Sequence, residues 1–390
     1  MPERAIVFLA IAQTFIWASA SYIFPALLLW WEQDLGWART ELTGAFTLAL
    51  LVSAVFSPMV GHIIDKGYGP EMMGLTTVGA GVLVGCLSYV TEIWQFYLAW
   101  LLIGVMISGC LYEPCFAIIT RARGLEAKRS IVAITLLAGF ASTISFPLAH
   151  ELAGGFGWRT AVLVFCFIAI VIAAPLMYFG AKDVEDHKTV KEPPAKQAGN
   201  AERSFLKRPE FWFLGLAFAL GSHLQQITIH HLLAILAERN VLRDVAVLAA
   251  SFIGPMQVAG RIAMVAAEKY ASNHMVAILS FCAMGLSAMM LMLSGNGVGF
   301  IAGFAIFFGG AHGVVSIIRP MLAWQILGEE NFGAKSGYLA SMFFIGGALA
   351  PFTGSIIWEL GGYDVVLVFL VLLAVAGLSL YLAAQRFAGS

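Results

Sequence analysis

Seven ionisable side chains stand well inside long apolar stretches: Glu113, Arg261, Arg319, His223, His230, His231 and His312. Such groups are costly in lipid, so they face a bundle interior or an aqueous cavity and mark functional positions. A guanidinium is permanently charged and planar, and it forks onto a carboxylate through two parallel hydrogen bonds. Arg261 and Arg319 are therefore candidate binders of an anion. Two cations set against the single acid Glu113 leave one positive charge over, and a small organic anion would balance it. Glu113 is a candidate proton carrier or gate, and so is His230, because an imidazole titrates near neutral pH. Each histidine can equally be an interhelical hydrogen bonder.

Helical spacing supplies neighbours for these groups. His312 and Arg319 lie at i and i+7 of one run, while His223, Gln226 and His230 lie at i, i+3 and i+7 of another. Gln13, Trp17 and Ser21 recur at i, i+4 and i+8 near the N-terminus. Tyr112 and Glu113 precede Pro114, whose missing N–H frees a carbonyl and can kink a helix toward a cavity. His312, His223, Tyr112 and Trp17 thus join the two arginines as candidate substrate ligands.

The elements that must position them are membrane spans. Of 390 residues, 60% are hydrophobic and 12% charged, against about 45–50% and about 25% in globular proteins. A soluble core cannot absorb that much apolar surface. Twelve apolar runs long enough to cross a bilayer are expected at 5–31, 40–63, 72–90, 94–120, 130–153, 159–180, 210–237, 244–267, 274–293, 298–327, 335–358 and 364–386. They are continuous rather than alternating, which selects helices over barrel strands. The first run, at about 27 residues, exceeds the about 7–15 of a signal h-region, so it reads as a retained span.

The charged, proline-bearing segment 181–209 is read as a linker between a six-helix half at 1–180 and another at 210–390. Sixteen lysines and arginines fall on the side holding both termini and that linker, and only Arg39, Arg159, Arg239 and Arg243 on the other. That asymmetry predicts cytoplasmic termini. Asp-Leu-Gly-Trp-Ala-Arg-Thr before the second run is echoed by Gly-Phe-Gly-Trp-Arg-Thr before the sixth, as nested repeats would leave. Trp30 with Trp31 and Trp94 with Tyr97 read as interfacial anchors. The five cysteines lie in apolar runs without metal-ligand spacing, so no metal or disulfide framework is expected. The net charge of −1 gives no argument for nucleic acid as a partner.

With these features the chain resembles the major facilitator superfamily. GHIIDKGYGPEM, residues 61–72, is similar to the family's loop signature through Gly61, Asp65 and Lys66; Ile63 replaces a leucine, and Glu71 stands where a base is usual. Physically, the glycine would let two helices approach while the acid pairs at a helix end. GWARTELTGAF (36–46) and GPMQVAGRIAMVAAEK (254–269) further resemble the monocarboxylate porter and oxalate/formate antiporter branch. The resemblance places Arg261 at that branch's carboxylate-binding arginine, with Gln257 where many members have an acid. It also implies a cavity lined chiefly by spans one, four, seven and ten, so that Glu113 and Arg319 face one another as a substrate site or as a gate. Drug/proton antiporter signatures are missing: Trp100, not arginine, stands four residues before Gly104.

The expectation is an all-α transporter of a small organic anion, most simply a monocarboxylate, proton-coupled or exchanging, working by alternating access. It would act as a monomer in a bacterial-type inner membrane, without cofactor or enzymatic activity; no Walker loop is present to use ATP. An exporter of amphipathic compounds and a non-transporting sensor are the competing readings. Green fluorescent protein fused after Ser390 should fluoresce and alkaline phosphatase fused there should be inactive, and the opposite pair would reverse the orientation.

Overall fold

The computed structural model describes residues 2–123, 127–187, 203–267, 270–328 and 332–388, and the described residues are helical apart from short connections. Helix α1 runs Pro2–Trp17, passes through a π-helical turn at Ala18–Tyr22 and continues as Ile23–Leu35. Helices α2 (Arg39–Asp65) and α3 (Gly69–Cys86) follow. Helix α4 is in two pieces, Ile93–Ile107 and Tyr112–Arg123, and so is α5, Ala127–Ala138 and Ala141–Phe156. Helix α6 joins Trp158–Phe167 to Ala174–Asp186 through a second π-turn, Ile168–Ala173.

Beyond the linker come α7 (Pro209–Glu238), α8 (Arg243–Ala266), α9 (Asn273–Met292) and α10 (Val298–Leu327). The stretch Phe332–Ala388 holds two helices, α11 and α12, parted by non-helical Gly361 and Gly362. Ten described stretches are long and apolar enough to cross a membrane, Tyr338–Ala388 counting as one. The sixth helix outlasts its expected end at 180, because Ala181 and Val184 are buried. Phe205, expected in the linker, sits in a short 3₁₀ turn and is buried against Phe211. The rest of the expected linker, 188–202, lies outside the described residues.

The chain forms two compact units, Met1–Ala195 and Lys196–Ser390. In the first, one end is filled by rings. Phe24 stacks on Phe46 at 4.3 Å, Trp100 meets both edge-on, and Trp31 packs edge-on against Phe96 and Trp158. Trp31 is fully buried, so it is a core residue and not the interfacial anchor expected; Trp94, 61% exposed, keeps an outward position. The sequence echo has a physical counterpart here. Gly36 closes α1 in a left-handed turn, and Gly157 sits between α5 and α6 with positive φ. The arginines that follow, Arg39 and Arg159, pair with Glu32 and Asp34 on the last turn of α1, each at 2.8 Å. Trp158 Nε1 also donates to Asp34, at 2.8 Å.

The second unit repeats this join. Glu238, ending α7, accepts from Trp358 Nε1 at 2.9 Å and from the Tyr363 backbone N–H at 2.8 Å, and Arg239 pairs with Asp364. Helix pairs correspond as well. Gly104 of α4 has no room for a Cβ against the Ala49 carbonyl of α2, and Gly313 of α10 has none against the Gln257 carbonyl of α8. Small residues permit such approach where lipid supplies no hydrophobic drive between helices.

Gly104→Ala and Gly313→Ala should each lower the melting temperature of the detergent-purified protein, an overpacking cost of about 1–3 kcal/mol. Gly154→Ala, with nothing within 4 Å of its added methyl, should not. Equal melting temperatures for all three would show that the close crossings are not required.

Candidate functional site

Helices α8 and α10 approach backbone to backbone because Gly260 lies on one and Gly309, Gly310 and Gly313 lie on the other. Side chains flanking that crossing are consequently enclosed. Gln257 is 4% and Arg261 7% exposed. Arg261 Nε donates to the Gly313 carbonyl at 3.0 Å, which brings the guanidinium beside His312, the preceding residue. His312 stacks on Phe308 with centroids 5.8 Å apart. Gln257 Nε2 and His312 Nδ1 are enclosed without a hydrogen-bond partner among the described residues. A buried polar group left unmade costs about 1–3 kcal/mol, so two beside a buried guanidinium call for an explanation. Neither α8 beyond Asp244 nor α10 contains an acid.

Arg319 has other neighbours. It lies six residues past Gly313, roughly 9 Å farther along α10, with its guanidinium over the Phe343 ring at 4.0 Å and 5.8 Å from that of Phe344. It lines an apolar pocket with Phe218 of α7 and with Phe281 and Met284 of α9.

Two histidines of α7, His223 and His231, tie it to neighbouring helices. His223 Nδ1 donates to the Gly346 carbonyl of α11 at 2.7 Å, and His230 Nδ1 donates to Gln226 O within its own helix at 2.8 Å. A carbonyl oxygen only accepts, so the ring proton sits on Nδ1 in both. His231, fully buried, donates from Nε2 to Pro351 O at 2.8 Å and meets Tyr363 Oη through Nδ1, also at 2.8 Å.

In the first unit, two irregularities meet. Pro114 lacks the N–H that would bond Cys110 O, the carbonyl four residues before it, and α4 is interrupted over 108–111. Gln13 of α1 supplies the missing donor: its Nε2 reaches Cys110 O at 3.0 Å and Leu111 O at 3.2 Å. One turn later Trp17 packs on Tyr112 at 4.9 Å, and Tyr112 stacks on Phe116 at 5.0 Å. The π-turn of α1 begins immediately after Trp17, and Ser145 Oγ of α5 donates to Ala18 O at 3.0 Å. Glu113 is exposed. Among the described residues, no group of three or more His, Cys, Asp or Glu is placed to hold a metal ion.

A model of the Major Facilitator Superfamily matches residues 9–351. The chain belongs to the Major Facilitator Superfamily. It is therefore a multi-pass membrane transporter, and its helices agree with that fold. A bacterial homolog of the human lysosomal transporter Spinster, inward-facing and unoccupied, superposes with a TM-score of 0.67 at 13% identity, covering 99% of this chain and 96% of the other. The nucleoside transporter NupG gives 0.73 at 16% identity over 99% and 100%. At these identities the likeness is one of fold. In sequence the chain is 26% identical over 352 residues to an uncharacterized 38 kDa protein in the 23S RNA operon of Thermoproteus tenax, across 87% of this chain and 84% of that protein.

The superfamily loop between α2 and α3 is arranged differently from expectation. Among the described residues, no atom lies within 4 Å of a Cβ placed on Gly61, whereas one on Gly69 would meet Ile118 Cδ1 of α4 at 2.8 Å. The glycine that admits a neighbouring helix in this transporter is thus Gly69. Lys66 is exposed, and the Asp65 side chain lies outside what the structure describes. Arg121 of α4 donates to the Ile64 carbonyl, and Lys335 Nζ of α11 donates to Leu327 O at 2.5 Å. Both place a cation on the carbonyl end of a helix, where the dipole favours it. Sequence reading missed these two roles; the available signal was a basic residue near a helix end in each half.

Gln13→Leu would leave the Cys110 and Leu111 carbonyls without that amide, and should destabilise the purified transporter by about 1–3 kcal/mol. A melting temperature equal to wild type would show that the interruption in α4 does not rely on Gln13.

Proposed function

We propose that this superfamily member carries a small organic anion, most simply a monocarboxylate, recognised in its C-terminal half by Arg261 together with Gln257 and His312. The observation that supports this reading is the composition of the α8–α10 crossing: a guanidinium and a primary amide, both donors, enclosed beside an imidazole on two helices whose one acid, Asp244, lies in the first turn of α8. A carboxylate supplies two acceptor oxygens and a negative charge at once. Arg261 is ranked ahead of Arg319 because an enclosed amide and an imidazole flank it, whereas the described neighbours of Arg319 include the Phe343 and Phe344 rings. Arg319, Glu113 and His230 are assigned to coupling or gating, with His223 holding α11 against α7. Alternating access between the halves would be driven by protons or by exchange, with both termini in the cytoplasm of a bacterial-type cell and no ATP consumed.

Loading proteoliposomes with a panel of carboxylates and imposing a pH gradient tests this. Wild type should show uptake and counterflow. Arg261→Gln should reduce both more than tenfold, with partial retention in Arg261→Lys, which keeps the charge and loses the fork. Undiminished carboxylate transport in both variants would overturn the assignment. In Glu113→Gln, uptake should lose its response to the pH gradient while counterflow persists; an unchanged response would remove Glu113 from coupling.

A second reading, export of amphipathic compounds, is favoured by one observation, the half-buried rings of Trp17, Tyr112 and Phe116 next to exposed Glu113.

A further inference from the structure

We infer that the N-terminal half carries a subsite for a planar aromatic ring, formed by Trp17, Tyr112 and Phe116 where α1 and α4 both leave regular helix. The negative charge of its ligand is taken from the anion reading above.

The first support is contrast within one unit. Phe24, Trp31, Phe46, Phe96 and Trp100 are fully enclosed and cover one another's rings. Trp17, Tyr112 and Phe116 make equally close ring contacts, at 4.9 and 5.0 Å, yet each stays only half-buried. The first unit thus assembles three rings whose remaining surface the described residues leave partly exposed.

The second support is the polar scaffolding that fixes them. Tyr112 is the first residue of helix after the interruption of α4, and Trp17 is the last before the π-turn of α1. Gln13 clamps the first irregularity and Ser145 the second. Interrupted helices inside a membrane are tolerated where they are buried in protein, as 108–111 are, or line a cavity, and π-turns are frequent at functional sites. Holding two rings at two such points makes a rigid platform.

The third support is unmet hydrogen-bonding capacity beside the platform. Trp17 Nε1 is an enclosed donor, and Gln13 Oε1 an enclosed acceptor on a fully buried side chain, and neither has a partner among the described residues. An aromatic ligand with a polar substituent would use both the ring faces and these atoms. Tyr112 and Phe116 lie 13° from parallel, so a third ring can stack in the same series. Two added ring contacts, at the strength typical of aromatic pairs, amount to about a tenfold preference for an aromatic over a saturated ring.

Benzoate and cyclohexanecarboxylate make the discriminating pair, because they share charge and carbon number and differ in the π-face. Titration calorimetry on the purified full chain should show benzoate binding about tenfold tighter. Trp17→Ala or Tyr112→Ala should bring the ratio to about one, whereas Trp17→Phe, which keeps a ring and removes the indole N–H, should preserve it. Size-exclusion elution at the wild-type volume qualifies each variant. Equal binding of the two acids to wild type overturns the subsite, as does a ratio unmoved by Trp17→Ala and Tyr112→Ala. If neither acid nor acetate binds while tetraphenylphosphonium binds in a Trp17-dependent way, the subsite stands and the anion reading falls. Absence of binding by every one of these probes also overturns the subsite.

Discussion

In an apolar solvent a helix can break only where something replaces the hydrogen bonds it gives up. This chain meets that requirement with side chains from neighbouring helices. Gln13 takes the carbonyls released around Pro114, Ser145 takes Ala18 O at the π-turn, Arg261 takes Gly313 O, and Arg121 and Lys335 take carbonyls at the ends of α2 and α10. Each such bond satisfies the backbone, and the first three also fix the position of a side chain one or two residues away: Tyr112, Trp17 and His312.

The same economy of parts appears in both units. Each uses a glycine on its fourth helix to approach its second, and an acid at the end of its first helix to hold the start of its sixth. What differs is the content of the shared geometry. The N-terminal unit places rings beside its irregularities, whereas the C-terminal unit places a guanidinium, an amide and an imidazole beside its closest crossing. Where the two units share a helix arrangement, they thus differ in the side chains placed on it.

Much of this was legible in the sequence because the membrane imposes a one-dimensional rule, about twenty apolar residues per span, that composition alone satisfies or fails. The effect of Pro114 was legible for a similarly local reason, since a proline always deprives the carbonyl four residues earlier. Facing was not. Runs that are apolar all round carry no stripe to say which side is buried, so Trp31 looked like a surface anchor and proved to be core. Nor could the loop reveal that Gly69, rather than Gly61, admits a neighbour, because Ile118 arrives from a distant part of the chain. The grouping of Gln257 and Arg261 with His312 depends likewise on a crossing between separate helices; spacing within α8 and α10 named the residues without joining them.

The π-turn of α1 divides that helix into two phases. A π-turn holds one residue more than a regular turn, and each residue of an α-helix advances the chain by about 100°. Gln13 and Trp17 are therefore read in one rotational frame, and Phe24 and Trp31 in another. Losing one residue between 18 and 22 would merge the frames, and whichever end kept its place, the other would turn its side chains away from their partners. The five residues Ala18 to Tyr22, four of them alanine or serine, thus act as a phase shifter that lets a single helix serve a packed aromatic core at one end and the half-buried rings around Trp17 at the other.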